Sequence, residues 1–169
     1  AWIFEVWCDP RWFPEGDASE YIAYFEQAYQ AVKEVSPHSR VGGAYDRSYG
    51  IISFESFIQQ WSSRNIQPDF LSVYCYETLI RDVTPEDGGR WIHDAEEKKN
   101  FRIEAYLRSR KQILMNYGMT MPVYSSEWNF TVINANVMND SRFKGAYMMK
   151  KIMNLYQDLD LLGYWFGTD

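Results

Sequence analysis

The sequence contains few of the residues that build disulfide frameworks and metal centres. Its 169 residues include two cysteines and two histidines. The cysteines, Cys8 and Cys75, fall at the ends of two different predicted strands, and no pair has the spacing of a metal site. We therefore expect no metal and no disulfide framework, and two cysteines favour a reducing, cytoplasmic compartment.

A basic surface and a long apolar run are also missing. Lys and Arg total 17 against 23 Asp and Glu, which gives a net charge of −6. Without a basic stripe, we expect no direct contact with nucleic acid and no binding to an anionic membrane. No run of 18 apolar residues exists to span a membrane. No signal peptide is visible, and the chain opens inside a strand-like run, which suggests an excised segment.

Apolar and aromatic residues are abundant. Hydrophobic residues make up 46% of the chain and aromatic residues 18%, including 7 Trp and 13 Tyr. This content predicts one globular domain over residues 1–169. Aromatic faces can stack on sugars, but an aromatic-rich core explains the composition equally well.

Strand-like and helix-like segments alternate along the chain. Strands are predicted at 2–7, 40–44, 70–76, 123–127 and 161–166, and helices at 17–36, 53–64, 100–117 and 141–158. Such alternation predicts a parallel α/β sheet. No Gly-x-Gly-x-x-Gly follows a strand, so no dinucleotide cofactor is expected. The last helix is predicted to face inward through its apolar stripe, Ala146, Met149, Ile152, Met153 and Tyr156. The long stretch 77–99 is interpreted as either a binding loop or a solvated excursion.

Two acids follow apolar strands and are the candidate catalytic pair. Asp9 ends the first strand-like run and Glu127 ends the fourth. The carboxyl ends of parallel barrel strands are where (β/α)8 enzymes keep their chemistry. Two carboxyl groups there suggest the acid/base and nucleophile of a sugar-cleaving enzyme. Glu5 shares the strand phase of Asp9 and is predicted to point inward as a structural acid.

Five short segments along the chain stand out: Phe4-Glu-Val-Trp-Cys-Asp-Pro10, Val41-Gly-Gly43, Asp69-Phe-Leu-Ser72, Ser126-Glu-Trp-Asn129, and Tyr164-Trp165 with Asp169. They resemble segments of the family 39 glycoside hydrolases, the β-xylosidase and α-iduronidase group, and occur in the same order as in that family. The resemblance implies a partial (β/α)8 TIM barrel, strands four to eight with the four intervening helices. An open segment of this kind should need the missing half of the barrel, or a second copy, as partner.

The resemblance also implies roles for individual residues. Glu127 matches the nucleophile of a retaining mechanism, and Asp9 matches the acid/base position, where the family has Glu. Cys8 stands where the family has an Asn that would bind the sugar 2-hydroxyl. The other candidate substrate-binding residues are Trp7, Tyr74, Tyr76, Trp128, Asn129 and Trp165. Of these, Tyr76 is interpreted as either a hydrogen-bond donor to Glu127 or an aromatic residue that merely ends a strand. Trp165 matches a sugar-stacking floor.

The altered Cys8-Asp9 pair leaves three hypotheses open. The first is a retaining glycosidase that acts on a β-xyloside or a related sugar, with a shortened acid/base. The second is a carbohydrate-binding sensor that no longer hydrolyses its ligand, like the family 39-type domains fused to AraC-type transcription regulators. The third is an unrelated parallel α/β domain, which a sheet without barrel curvature would indicate.

Overall fold

The computed structural model describes residues 2–6, 17–45, 53–78, 103–131 and 141–164. Within these ranges, five parallel strands alternate with four helices. The elements are β1 (Ile3–Val6), α1 (Ser19–Val35), β2 (Arg40–Tyr45), α2 (Phe54–Ser62), β3 (Phe70–Thr78), α3 (Ile103–Asn116), β4 (Val123–Thr131), α4 (Arg142–Leu155) and β5 (Leu161–Tyr164). The strands lie side by side in chain order, so the predicted partial α/β barrel is confirmed.

Serine side chains begin two of the helices. Ser53 Oγ accepts a hydrogen bond from Ser56 N at 3.1 Å before α2, and Ser141 Oγ accepts one from Lys144 N at 3.4 Å before α4. These bonds satisfy backbone donors that have no partner inside a helix. The first helix begins at Ser19, two residues after its predicted start at Asp17, and Asp17 Oδ1 accepts a hydrogen bond from Ser19 N at 2.9 Å.

The main core lies between the sheet and the helices. Trp61 of α2 is fully buried and forms edge contacts with Phe25 and Phe57, with ring centroids 4.8 and 5.2 Å away. Gly43 of β2 makes room for this indole, since a β-carbon there would collide with the Trp61 ring. The close approach of α2 to β2 therefore depends on a residue without a side chain.

The inward face predicted for α4 is wrong. Met149, Met153 and Tyr156 are 59%, 69% and 68% exposed, and the residues that α4 buries are Lys144, Tyr147, Lys151 and Leu155. The physical reason is that Lys151 Nζ pairs with Glu104 Oε2 of α3 at 2.7 Å and lies over the Tyr147 ring. A paired cation with a long apolar stem can replace an apolar side chain in a helix interface.

Polar contacts join the amino ends of β2, β3 and β4. Asp69 Oδ2, just before β3, accepts from Val41 N at 2.8 Å and pairs with Lys33 Nζ at 2.7 Å. Arg40 Nη1 donates to Tyr124 Oη at 2.7 Å. This end of the sheet is therefore fixed by structural contacts.

A tyrosine bridges β1 and β2 at their carboxyl ends. Tyr21 Oη donates to Val6 O at 2.9 Å and accepts from Ala44 N at 3.0 Å. The hydroxyl thus links two backbone groups of adjacent strands, and both groups are satisfied although they lie in the core. No helix in the described part of the chain is long and apolar enough to cross a membrane.

Candidate active site

The candidate site lies on the face of the sheet away from the helices. Along β3, Cys75 lies on the helix side, close enough to Tyr106 of α3 to affect the pKa of that phenol. The alternating residues Tyr74 and Tyr76 therefore point to the other face. Tyr74 pairs in register with Glu127 of β4, and Tyr76 pairs with Asn129. Two tyrosines and one carboxylate are therefore neighbours near the carboxyl ends of adjacent strands.

Tyr76 contacts Glu127 directly. The Tyr76 hydroxyl donates a hydrogen bond to Glu127 Oε1, which is one of the two alternatives that the sequence left open. Tyr76 is 5% exposed, whereas Glu127 is half-buried. A phenol that donates to a carboxylate stabilises its ionised form. This contact holds Glu127 in one orientation and favours its negative charge.

Tyr74 forms a second tyrosine–carboxylate pair, with a strand on the other side of β3 from Glu127. Its hydroxyl donates to Glu5 Oε1 of β1 at 2.7 Å, across the intervening strand β2. Burial, together with the negative charges of Glu5 and Glu127, raises the pKa of Tyr74 far above its ordinary value. Tyr74 is therefore a neutral hydrogen-bond donor at any physiological pH.

Sequence reasoning missed the pairing of Glu5 with Tyr74. The strand phase placed Glu5 on the inner face, but the pair joins residues 69 positions apart in sequence. The available signal was the small size of Ala44 in β2, which lies between β1 and β3. Small residues on the inner face of a central strand leave room for a long side chain to cross it.

The backbone around Glu127 is irregular. The register between β3 and β4 shifts between Ser72 and Tyr74, and the register between β4 and β5 shifts between Ser125 and Trp128. A side chain at Gly163 of β5 would collide with the Ser126 carbonyl. Irregularities of this kind re-aim side chains at the edges of barrels.

Trp128 and Asn129 occupy different environments from Glu127. Trp128 is 1% exposed and its ring lies 6.2 Å from that of Tyr147 in α4 and 5.6 Å from that of Tyr164. It therefore packs on the helix side of the sheet, away from the Glu127 carboxylate. Asn129 is buried on β4, paired in register with Tyr76.

Four of the candidate residues lie outside the described residues: Trp7, Cys8, Asp9 and Trp165. Most of the long stretch 77–99 also lies outside them. In the ranges that are described, no group of three or more His, Cys, Asp or Glu side chains could hold a metal ion.

These observations define a segment of a parallel α/β barrel that carries acids on its inner face, toward the carboxyl ends of the strands. The sequence model of the glycosyl hydrolases family 39 matches residues 1–169. The chain therefore belongs to glycosyl hydrolase family 39.

Two β-xylosidases are similar in sequence. The β-xylosidase of Caldicellulosiruptor saccharolyticus is 27% identical over 99% of the chain, and that of Geobacillus stearothermophilus is 23% identical over 100% of it. The alignments cover 33% and 34% of these relatives. The chain thus spans about a third of the length of the relatives it matches.

Solved structures show the same fold. A family 39 β-xylosidase from Caulobacter crescentus superposes with a TM-score of 0.71 at 19% identity, covering 97% of this chain and 32% of the other. A family 39 enzyme from Xanthomonas axonopodis pv. citri gives a TM-score of 0.67 at 19% identity, covering 97% and 32%. At this identity the similarity establishes the fold alone.

Proposed function

We propose that this chain supplies the catalytic strands of a retaining glycosidase that acts on β-xylosides or related sugars. Glu127 is the nucleophile and Asp9 occupies the acid/base position. The observation that carries the proposal is the hydrogen bond from Tyr76 to Glu127. A nucleophilic carboxylate must be ionised and fixed in orientation before it attacks the anomeric carbon, and a buried phenol donor supports both requirements.

The topology supports a shared site for the two acids. β1 and β4 are members of one parallel sheet, so the carboxyl ends of both strands lie at the same end of the sheet. Asp9 follows β1 in sequence and Glu127 lies within β4. In a retaining enzyme, the acid protonates the leaving oxygen while the nucleophile forms a glycosyl–enzyme intermediate. The same acid, now ionised, then activates water.

The sugar would be held by residues around these acids. Trp7 and Trp165 are proposed to stack on the ring, and Asn129 and Cys8 to contact hydroxyl groups. The thiol of Cys8 is a weaker hydrogen-bond partner than the Asn of the family pattern, so the contact to the 2-hydroxyl is weakened. The burial of Trp128 against α4 favours a packing role for that residue.

The sheet as described has open edges, which supports the need for the rest of a barrel. Trp2, Ile3 and Phe4 at the β1 edge are 73%, 52% and 41% exposed. Apolar side chains on an edge strand favour pairing with further strands. We propose that the remaining barrel strands cover this edge in the full-length protein. A second copy of the chain is the alternative partner.

The test measures release of the leaving group from an aryl β-xyloside by the full-length protein. Glu127→Gln is expected to lower kcat by at least about 10³-fold, because the nucleophile is lost. Glu104→Gln, which alters an acid between α3 and α4, is the matched control and should retain the rate. Glu127→Gly with added azide should yield the glycosyl azide of inverted configuration. An unchanged rate in Glu127→Gln would refute the proposal.

A sugar-binding sensor without turnover is the second candidate, because Cys8 and Asp9 replace the Asn and Glu of the family pattern. Such a domain would serve an AraC-type transcription regulator. Calorimetry of the full-length protein with xylose and xylo-oligosaccharides separates the two functions. Binding without hydrolysis, equal in the wild type and Glu127→Gln, supports the sensor, whereas turnover that depends on Glu127 supports the enzyme.

A further inference from the structure

The inner face of the sheet holds two carboxylates and two tyrosine donors. Tyr76 donates to Glu127, and Tyr74 donates to Glu5. A phenol carries one proton and can fully donate to one acceptor at a time. The assignment of each tyrosine to a carboxylate therefore decides how many donors each carboxylate receives.

Tyr74 is bonded to the more distant strand. Its backbone is the register partner of Glu127 on the adjacent strand, yet its hydroxyl lies 2.7 Å from Glu5, which is two strands away on the other side. The ring is 8% exposed and lies near enough to Glu127 for that charge to act on the phenol. Glu127 is therefore a competing acceptor for the Tyr74 proton.

Glu5 is the acceptor that binds the Tyr74 hydroxyl more strongly. Its Oε1 accepts from Tyr74, while its Oε2 is buried and contacts no hydrogen-bond donor within the described ranges. A buried carboxylate with few donors attracts an available phenol strongly, since an unsatisfied charged group is costly. On β2, the strand between those of Glu5 and Tyr74, the inward residue Ala44 has only a small side chain.

We infer that Glu5 is a positioning residue that holds the Tyr74 hydroxyl away from Glu127. The inference rests on the proposed role of Glu127 as nucleophile. With Tyr74 bound to Glu5, Tyr76 is the tyrosine of β3 that donates to Glu127. If Glu5 could not accept, Tyr74 would turn to Glu127 and add a second phenol donor. Tyr76 already fixes the orientation of Glu127 and favours its charge, so a second phenol donor would only stabilise the carboxylate before attack and lower its nucleophilicity.

The inference predicts a rescue that a merely structural role would not produce. In the full-length protein, Glu5→Met removes the hydrogen-bond acceptor but keeps a side chain of similar length. This variant should lower kcat for an aryl β-xyloside about tenfold, which corresponds to one charge-assisted hydrogen bond. Glu5→Gln keeps an acceptor oxygen and should stay within about threefold of the wild type. Adding Tyr74→Phe to Glu5→Met should recover most of the lost kcat, because the competing hydroxyl is gone.

The rates are compared at a temperature where every variant is fully folded. Glu5→Asp, which withdraws the acceptor by one methylene, replaces Glu5→Met if that variant does not fold. A double variant as slow as Glu5→Met, or an unchanged Glu5→Met, would overturn the inference.

A crystal structure of the full-length Glu5→Met variant tests the inference without any activity. It should show Tyr74 Oη within hydrogen-bonding distance of the Glu127 carboxylate. A Tyr74 side chain that still points across β2 would overturn the inference. Glu127→Gln kinetics are measured in parallel, so failure of the proposed function is recognised separately from failure of the positioning role.

Discussion

The Tyr76 hydroxyl on β3 donates a hydrogen bond to the Glu127 carboxylate on the adjacent strand β4. The two side chains lie on the face of the sheet that the helices leave uncovered. Tyr76 is buried and Glu127 is half-buried, so the bond is shielded from water on one side. Hydrogen bonds to charged groups contribute about 1.5–3 kcal/mol. Removing this donor is therefore a direct test of the role proposed for Glu127.

Removing this donor should impair the proposed attack by Glu127. Tyr76→Phe is expected to lower kcat/KM for an aryl β-xyloside by about 10- to 100-fold, the equivalent of one hydrogen bond to a charged group. Tyr124→Phe is the control, since Tyr124 also carries a phenol on the sheet but bonds Arg40 at the amino ends of the strands. Equal rates for Tyr76→Phe and the wild type would contradict the prediction.

Lengthening the acid at position 9 should improve hydrolysis. Asp is one methylene shorter than the Glu of the family pattern, and a misplacement of about 1 Å can cost about 10²-fold in rate. Asp9→Glu is therefore expected to raise kcat up to about 10²-fold, and Asp9→Asn to lower it. The measurement is the pH–rate profile of the full-length protein. A slower Asp9→Glu would show that the site is built around the shorter side chain.

Two glycines should respond oppositely to alanine. Gly43→Ala places a methyl group against the buried Trp61 ring and should destabilise the fold by about 1–3 kcal/mol, as expected for overpacking. Gly145→Ala lies in α4 with nothing within 4 Å of the new methyl and should stabilise by up to about 1 kcal/mol. Urea unfolding of the full-length variants gives both values. The same sign for both substitutions would show that the local packing has been misassigned.

The order of strands and helices was predictable because its signals are local. The alternation of apolar strands with amphipathic stretches gave the parallel sheet, and Ser53 and Ser141 marked two helix starts correctly. The family pattern offered the hydrogen bond between Tyr76 and Glu127 as one of two alternatives, and the structure contains that bond.

Contacts between distant segments were not predictable. The Glu5–Tyr74 pair joins side chains of two strands that are separated by a third strand. The buried face of α4 was misjudged because an apolar stripe normally faces inward, and here a lysine meets a glutamate from another helix. Trp128 is different, because it directly follows the inward-facing Glu127 on β4 and strand alternation alone places its indole on the helix side. A one-dimensional pattern does not encode the first two relationships.

The ion pair between α3 and α4 should make stability depend on pH. Lys151 Nζ lies 2.7 Å from Glu104 Oε2, and Asn154 Nδ2 donates to Glu104 Oε1 at 3.0 Å. Burial by itself would raise the pKa of Glu104, but the bonds from Lys151 and Asn154 outweigh it and hold the pKa below its ordinary value of 4.5. The folded state therefore takes up the proton less readily than the unfolded state.

This difference contributes stability that is complete above pH 4.5 and is lost as the pH falls through the lower folded pKa. The Glu104→Gln variant should therefore be less stable than the wild type at pH 7. The difference between their free energies of unfolding should become smaller as the pH falls below 4.5. Lys151→Met leaves Glu104 without its cation and should lower the free energy of unfolding by about 3 kcal/mol at pH 7. The control Lys150→Met, on the exposed face of α4, should change the free energy of unfolding little. Urea unfolding of the full-length variants across this pH range measures each effect. If the difference in free energy of unfolding between the wild type and Glu104→Gln grew as the pH fell, Glu104 would instead be stabilised in its protonated form.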